Sequence, residues 1–210
     1  FLIPEFLMSA PNKIKASAGF DAIAQALESL VSKKSNNQSI EYASKSLRVS
    51  INSYISFLNN PNLKNATEMS IASNLAGKAI SISKTTAPHA VSYPFTSLFN
   101  ISHGHAVGLF FESFFKFNFE NLDKSETSFD LRKRFNLIFD LLDVKNINDF
   151  NSKISLIKKQ AKLEDSLETL NIDINQSSEK IIKGINLLRL GNNPVKIDEK
   201  DIYNIISKTL

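Results

Sequence analysis

The stretch SIEYASKSLRVSINSYISFL, residues 39–58, decides the fold class. Its apolar positions Ile40, Ala43, Leu47, Ile51, Tyr54 and Leu58 recur at steps of three or four, which gathers them on one face of an α-helix. Asn60-Pro61-Asn62 stops that helix. The same period appears on both sides of it. Ala16–Ser32 lines up Phe20, Ile23, Ala24, Leu27 and Leu30. Asn65 and Glu68, spaced like a capping box, open a helix carrying Met69, Ala72, Leu75, Ala76 and Ala79. Residues 128–142, 148–163 and 177–190 repeat the pattern, and Gly191-Asn192-Asn193-Pro194 closes the last of them. Asp198 caps a short final helix that reaches Leu210. His103–Phe119 reads as one buried helix, so its phenylalanines are a packed face rather than a binding surface. Three stretches fall outside the period: an extended lead-in at Phe1–Pro11, a loop at Lys33–Gln38, and an irregular segment at Ser83–Ser102 with two prolines. Nothing alternates with period two for long enough to make a sheet. The expectation is an all-α, multi-helix bundle over residues 1–210.

Composition narrows the function classes. The 210 residues are 42% hydrophobic and 22% charged, an ordinary globular balance. The net charge of +4 is carried by Lys and Arg scattered singly or in pairs, as at Lys33-Lys34 and Lys158-Lys159. That suits a solvated surface and argues against nucleic acid as a partner. With no cysteine, disulfides and thiolate metal sites are excluded and the cytoplasm is the expected compartment. No apolar run reaches the roughly 18 residues that would span a membrane. The chain starts inside an apolar segment, Phe1-Leu2-Ile3-Pro4, with no basic region of a signal peptide; it reads as a sequence from which something upstream has been left off.

The three histidines all lie between positions 89 and 105: His89, His103 and His105. Clustered in one apolar region, they are as readily metal ligands as structural groups; two imidazoles plus a carboxylate or amide oxygen suit Fe(II) or Zn(II). Asp21 is the best oxygen donor, a carboxylate flanked by apolar residues, and it reads equally well as a helix cap. Gln25 stands one turn later on the same face. Glu28 follows on nearly the same stripe, either supporting a site or facing solvent.

These segments together resemble the iron-containing alcohol dehydrogenases. That family has a Gly-x-Asp-Ala-x-x-His-x-x-Glu helix and, later, two histidines fourteen apart, the second before a glycine. Gly19-Phe20-Asp21-Ala22-Ile23-Ala24-Gln25-Ala26-Leu27-Glu28 matches the first part; His89 and His103-Gly104 match the second, with 103 − 89 = 14. The small-residue run Asn74-Leu75-Ala76-Gly77 and the late Asn193-Pro194 also fit. Two positions depart from the pattern: Gln25 stands where the family has a ligand His, and Tyr93 where it has a His near the nicotinamide. Both departures, with Thr85-Thr86-Ala87-Pro88-His89, make the chain similar to the phosphonoacetaldehyde reductase branch. The resemblance implies the helical metal-binding half of a dehydroquinate-synthase-like two-domain fold, without its nucleotide-binding domain. It implies Asp21, Gln25, His89 and His103 as metal ligands, with His105 and Tyr93 in catalytic positions. It implies Fe(II) or Zn(II), and NADH or NADPH held mainly by the other domain. A small aldehyde or alcohol, in this branch a phosphonate contacted by Lys84, Thr85 and Thr86, would be the substrate; Arg189 is a further cationic candidate, placed behind Lys84. A homodimer is the implied assembly. Two other readings stay open: a non-enzymatic helical module with structural histidines, and a dehydroquinate-synthase-like enzyme, whose Lys- and Arg-rich signature is not evident.

Overall fold

The computed structural model describes residues 1–207. Among them the chain forms twelve α-helices, one single-turn 3-10 helix at Leu122–Lys124 and no strand beyond an isolated bridge between Ser125 and Val195. The helices are α1 (Pro4–Met8), α2 (Asn12–Val31), α3 (Asn37–Asn59), α4 (Leu63–Ser83), α5 (Ala87–Phe99) and α6 (His103–Gly108). They continue as α7 (Phe111–Glu120), α8 (Leu131–Leu142), α9 (Ile147–Gln160), α10 (Ile174–Lys183), α11 (Leu187–Leu190) and α12 (Glu199–Ser207). No described helix is long and apolar enough to cross a membrane.

The all-α expectation holds, and the periodic stretches are helical, but several boundaries move. The lead-in at residues 1–11 contains the short helix α1, opened by Pro4 in its first turn. The loop at 33–38 ends early, because Asn36 and Ser39 form a reciprocal capping box for α3. The box on α4 pairs Asn62 with Asn65, not Asn65 with Glu68; Glu68 instead accepts a hydrogen bond from Ser53 Oγ at 2.6 Å. The 177–190 helix is interrupted, with a turn at 184–186 separating α10 from α11. Asp198 and Asp201 exchange backbone-to-carboxylate hydrogen bonds at the start of α12, as the cap requires; positions 208–210 of the expected helix lie outside the described residues.

The largest correction is at 83–102, where α5 replaces the irregular segment. Pro94 sits inside that helix and offers no N–H to the carbonyl of Ala90. The N–H of Asn186 donates to that carbonyl at 3.1 Å from the turn between α10 and α11. A distant backbone donor thus satisfies the acceptor that proline leaves open, which no local rule foresees.

The 103–119 segment divides in two at residues 109–110. Lys158 Nζ donates to the Gly108 carbonyl at 2.9 Å and ends α6 there. The phenylalanines are buried, as expected, but they serve two cores. Phe111 and Phe115 join Phe20, Leu27, Leu47, Tyr54, Phe135 and Phe150 in the first. Phe110 and Phe114 join Val91, Phe95, Ile181 and Ile206 in the second. The α6–α7 segment is therefore the seam between a cluster built on α2, α3, α4, α8 and α9 and one built on α5, α10 and α12.

Candidate metal centre

Three elements meet where the two cores join. Helix α2 presents Asp21, Gln25 and Glu28 along one face, as steps of four and three dictate. Helix α5 brings His89 in its first turn, and α6 begins at His103. The approach of α6 to α2 needs glycine at position 104. A Cβ there would stand 2.0 Å from the Ser17 carbonyl oxygen and 2.8 Å from Asp21 Cβ. The glycine after His103 is thus what lets that imidazole reach Asp21.

Asp21, His89 and His103 each offer one ligand atom, and these atoms lie within 4.8 Å of one another. Asp21 Oδ1 is 3.2 Å from His89 Nε2 and 3.8 Å from His103 Nε2. Asp21 Oδ1 and His89 Nε2 are buried and make no hydrogen bond. Two buried polar atoms without partners are costly, and a cation between them and His103 would satisfy both. The donor set of one carboxylate and two imidazoles fits Fe(II) or Zn(II).

Behind these atoms stands a supporting shell. Glu28 is fully buried and accepts from the Thr86 amide at 2.8 Å and the Thr86 hydroxyl at 2.9 Å. Its other oxygen holds His89 Nδ1 in a short contact, which leaves Nε2 aimed at Asp21. A carboxylate on the far nitrogen of an imidazole ligand fixes its tautomer and raises its basicity. Glu28 is therefore neither a helix-surface charge nor a bystander. Gln25 Nε2 donates to Asp21 Oδ2 at 2.6 Å, so in this orientation the amide steers the carboxylate and leaves Oδ1 to the histidines.

The charges respond to this packing. Burial alone would push His89 down, but Glu28 and Asp21 together outweigh it and hold the imidazole up at about 9. His103 is half-exposed, and burial, opposed by Asp21, leaves it below its ordinary value.

The other sequence-derived candidates separate into two groups. Tyr93 lies beside the centre, its ring centroid 5.9 Å from that of His103. Thr85 is buried with its hydroxyl accepting from Arg189 Nη1 at 2.6 Å, and the Arg189 guanidinium stands 5.3 Å over the Tyr93 ring. Thr86 turns inward to Glu28. Lys84 is exposed, and its ammonium donates to the Ser81 carbonyl. His105 points elsewhere: its Nε2 meets the Glu164 carbonyl oxygen at 2.6 Å, and it lines a cavity of ≈570 Å³ with Lys13, Asn100 and Lys162. Arg189 is 104 residues from Thr85 in the chain, and the turn after α10 brings it in.

A family model for the Fe-containing alcohol dehydrogenase family, C-terminal, matches residues 15–210. The chain belongs to that family. Across 212 residues, the chain is 27% identical to a 4-hydroxybutyrate dehydrogenase of Clostridium kluyveri, covering 99% of this chain and 56% of the relative. A phosphonoacetaldehyde reductase of Streptomyces viridochromogenes is 26% identical over 118 residues, 56% of this chain and 30% of its own. The crystal structure of sulfoacetaldehyde reductase from Bifidobacterium kashiwanohense in complex with NAD+ superposes with a TM-score of 0.86 at 26% identity, covering 98% of this chain and 52% of that one. The chain spans about half the length of the relatives that it matches end to end.

Proposed function

We propose that these residues are the metal-holding part of a metal-dependent, NAD(P)-linked alcohol dehydrogenase that works as an aldehyde reductase. The observation that carries the reading is the pair of buried, unpartnered atoms, Asp21 Oδ1 and His89 Nε2, facing His103. Asp21, His89 and His103 are the ligands; Gln25 orients Asp21, and its amide oxygen is the candidate for a fourth position. The family name favours iron over zinc. Bound there, the metal supplies Lewis-acid polarisation of the substrate carbonyl. The chain's own residues do the rest. Glu28 holds His89 in the ligating tautomer, and Tyr93 places a phenol beside His103 where the nicotinamide is expected. His105 is turned away from the centre and engaged with the Glu164 carbonyl. NADH or NADPH is assigned to the length that the relatives have and this chain does not span.

Phosphonoacetaldehyde, reduced to 2-hydroxyethylphosphonate, is the proposed substrate. Its support is the Gln25 and Tyr93 branch pattern and the partial likeness to a phosphonoacetaldehyde reductase. The test is elemental analysis and aldehyde-dependent NAD(P)H oxidation of the complete protein purified without oxygen. His89→Ala should lose both metal and turnover. Protein with no iron or zinc, and a variant reducing aldehydes as well as wild type, would end this reading. A preference for unsubstituted aldehydes would end the phosphonate assignment alone.

A further inference from the structure

Arg189 is the cation the metal centre leaves unexplained. Lys33, Lys45, Lys158 and Lys183 pair with carboxylates. Arg189 has no carboxylate partner among the described residues. It is half-buried, and its position is set rather than free: Thr85 Oγ1 takes one of its five N–H donors, and Tyr93 lies beneath the guanidinium plane. Tyr93 in turn lies against His103, so the charge stands one ring away from the metal ligands.

Arg189 also lines a cavity of ≈330 Å³ with Lys34, Ile80, Lys84, Thr85, Leu188 and Asn192. Three of those residues are basic and none is acidic. A concavity of this sign attracts anions and raises their local concentration. A planar guanidinium with donors left over matches the paired oxygens of a phosphonate, sulfonate or carboxylate better than a point charge does.

We infer that Arg189 is a specificity-determining residue that binds the terminal anion of a short aldehyde whose carbonyl lies at the Asp21–His89–His103 centre. The inference rests on the proposed reductase reading for the carbonyl end only. Thr85 and Tyr93 act as positioning residues that hold the guanidinium. The substrate class is then set by charge, and phosphonoacetaldehyde is one member of it rather than its definition.

The experiment compares phosphonoacetaldehyde, sulfoacetaldehyde and propanal with the complete, metal-loaded protein. Wild type should favour the two anionic aldehydes by at least about tenfold in kcat/KM. Arg189→Gln should bring that ratio towards one, through a rise in KM on the order of 10²-fold for the anionic pair. Arg189→Lys should recover part of it, since charge returns without the planar fork. Binding of methylphosphonate, read by calorimetry and independent of turnover, should weaken by a similar factor in Arg189→Gln. An unchanged ratio in Arg189→Gln, an equal loss on propanal, or unchanged methylphosphonate binding would overturn the assignment. Arg189-dependent methylphosphonate binding in a protein that reduces no aldehyde would instead overturn the reductase reading and leave the anion site standing.

Discussion

At the scale of single residues, the centre depends on which nitrogen of His89 carries a proton. Glu28 holds Nδ1, so Nε2 is the nitrogen that a metal would take. Glu28→Gln keeps the shape but turns an amide N–H towards Nδ1, which drives the ring proton to Nε2. The expected result is a 10- to 100-fold loss of Fe(II) or Zn(II) affinity in a chelator-competition titration, with the helical circular dichroism spectrum retained. Affinity should also follow pH. In the metal-free protein His89 holds its proton up to about pH 9, and a metal must displace it. Zn(II) affinity should therefore rise by up to about tenfold per unit between pH 7 and 9 and flatten above. The linkage to stability has the opposite slope. A folded value raised above the ordinary 6.5 stabilises the metal-free fold fully below pH 6.5, and that contribution fades as pH rises through 9. Melting of the metal-free protein across that range reads it directly.

At the scale of elements, the decisive contact is between α2 and α6. Gly104→Ala would put a methyl group into the Ser17 carbonyl and against Asp21. Backbone on one side and a ligand on the other leave little room to yield, so α6 must shift. A loss of about 2–4 kcal/mol in urea unfolding is expected, with weaker metal binding because His103 moves too. The far end of α6 is held by Lys158, which is buried against the Gly108 carbonyl, Glu112 and Asp165. Lys158→Met leaves a carbonyl and two carboxylates without their cation. The cost should be on the order of 3–5 kcal/mol, read in the same denaturant experiment. Helix α5 shows the converse, an element supported from outside, since Asn186 satisfies the Ala90 carbonyl that Pro94 leaves open.

At the scale of the molecule, the centre ties two cores together. Asp21 comes from the first, His89 from the second, and His103 from the segment shared by both. Metal that binds only this arrangement stabilises it by about 2.7 kcal/mol at a hundredfold excess over Kd. Removing it with a chelator should lower the melting temperature by about 5–10 °C. An unchanged melting temperature would mean that the two cores need no metal to stay joined.

What the sequence determined by itself was the helical class and the faces of α2, α3 and α8; it offered Asp21 as one candidate oxygen donor, and the family resemblance set it with His89 and His103. Those are local properties: the period of apolar residues, and a carboxylate among apolar neighbours. What only the tertiary structure decided depends on groups far apart in the chain. Helix α5 reads as irregular until Asn186 is in place. The 103–119 segment reads as one helix until Lys158 ends α6. Glu28 reads as a possible surface charge until Thr86 and His89 close over it. Arg189 reads as remote until the turn at 184–186 sets it over Tyr93. In each case a buried polar group found its partner across the fold, and a partner's distance along the chain says nothing about its distance in space.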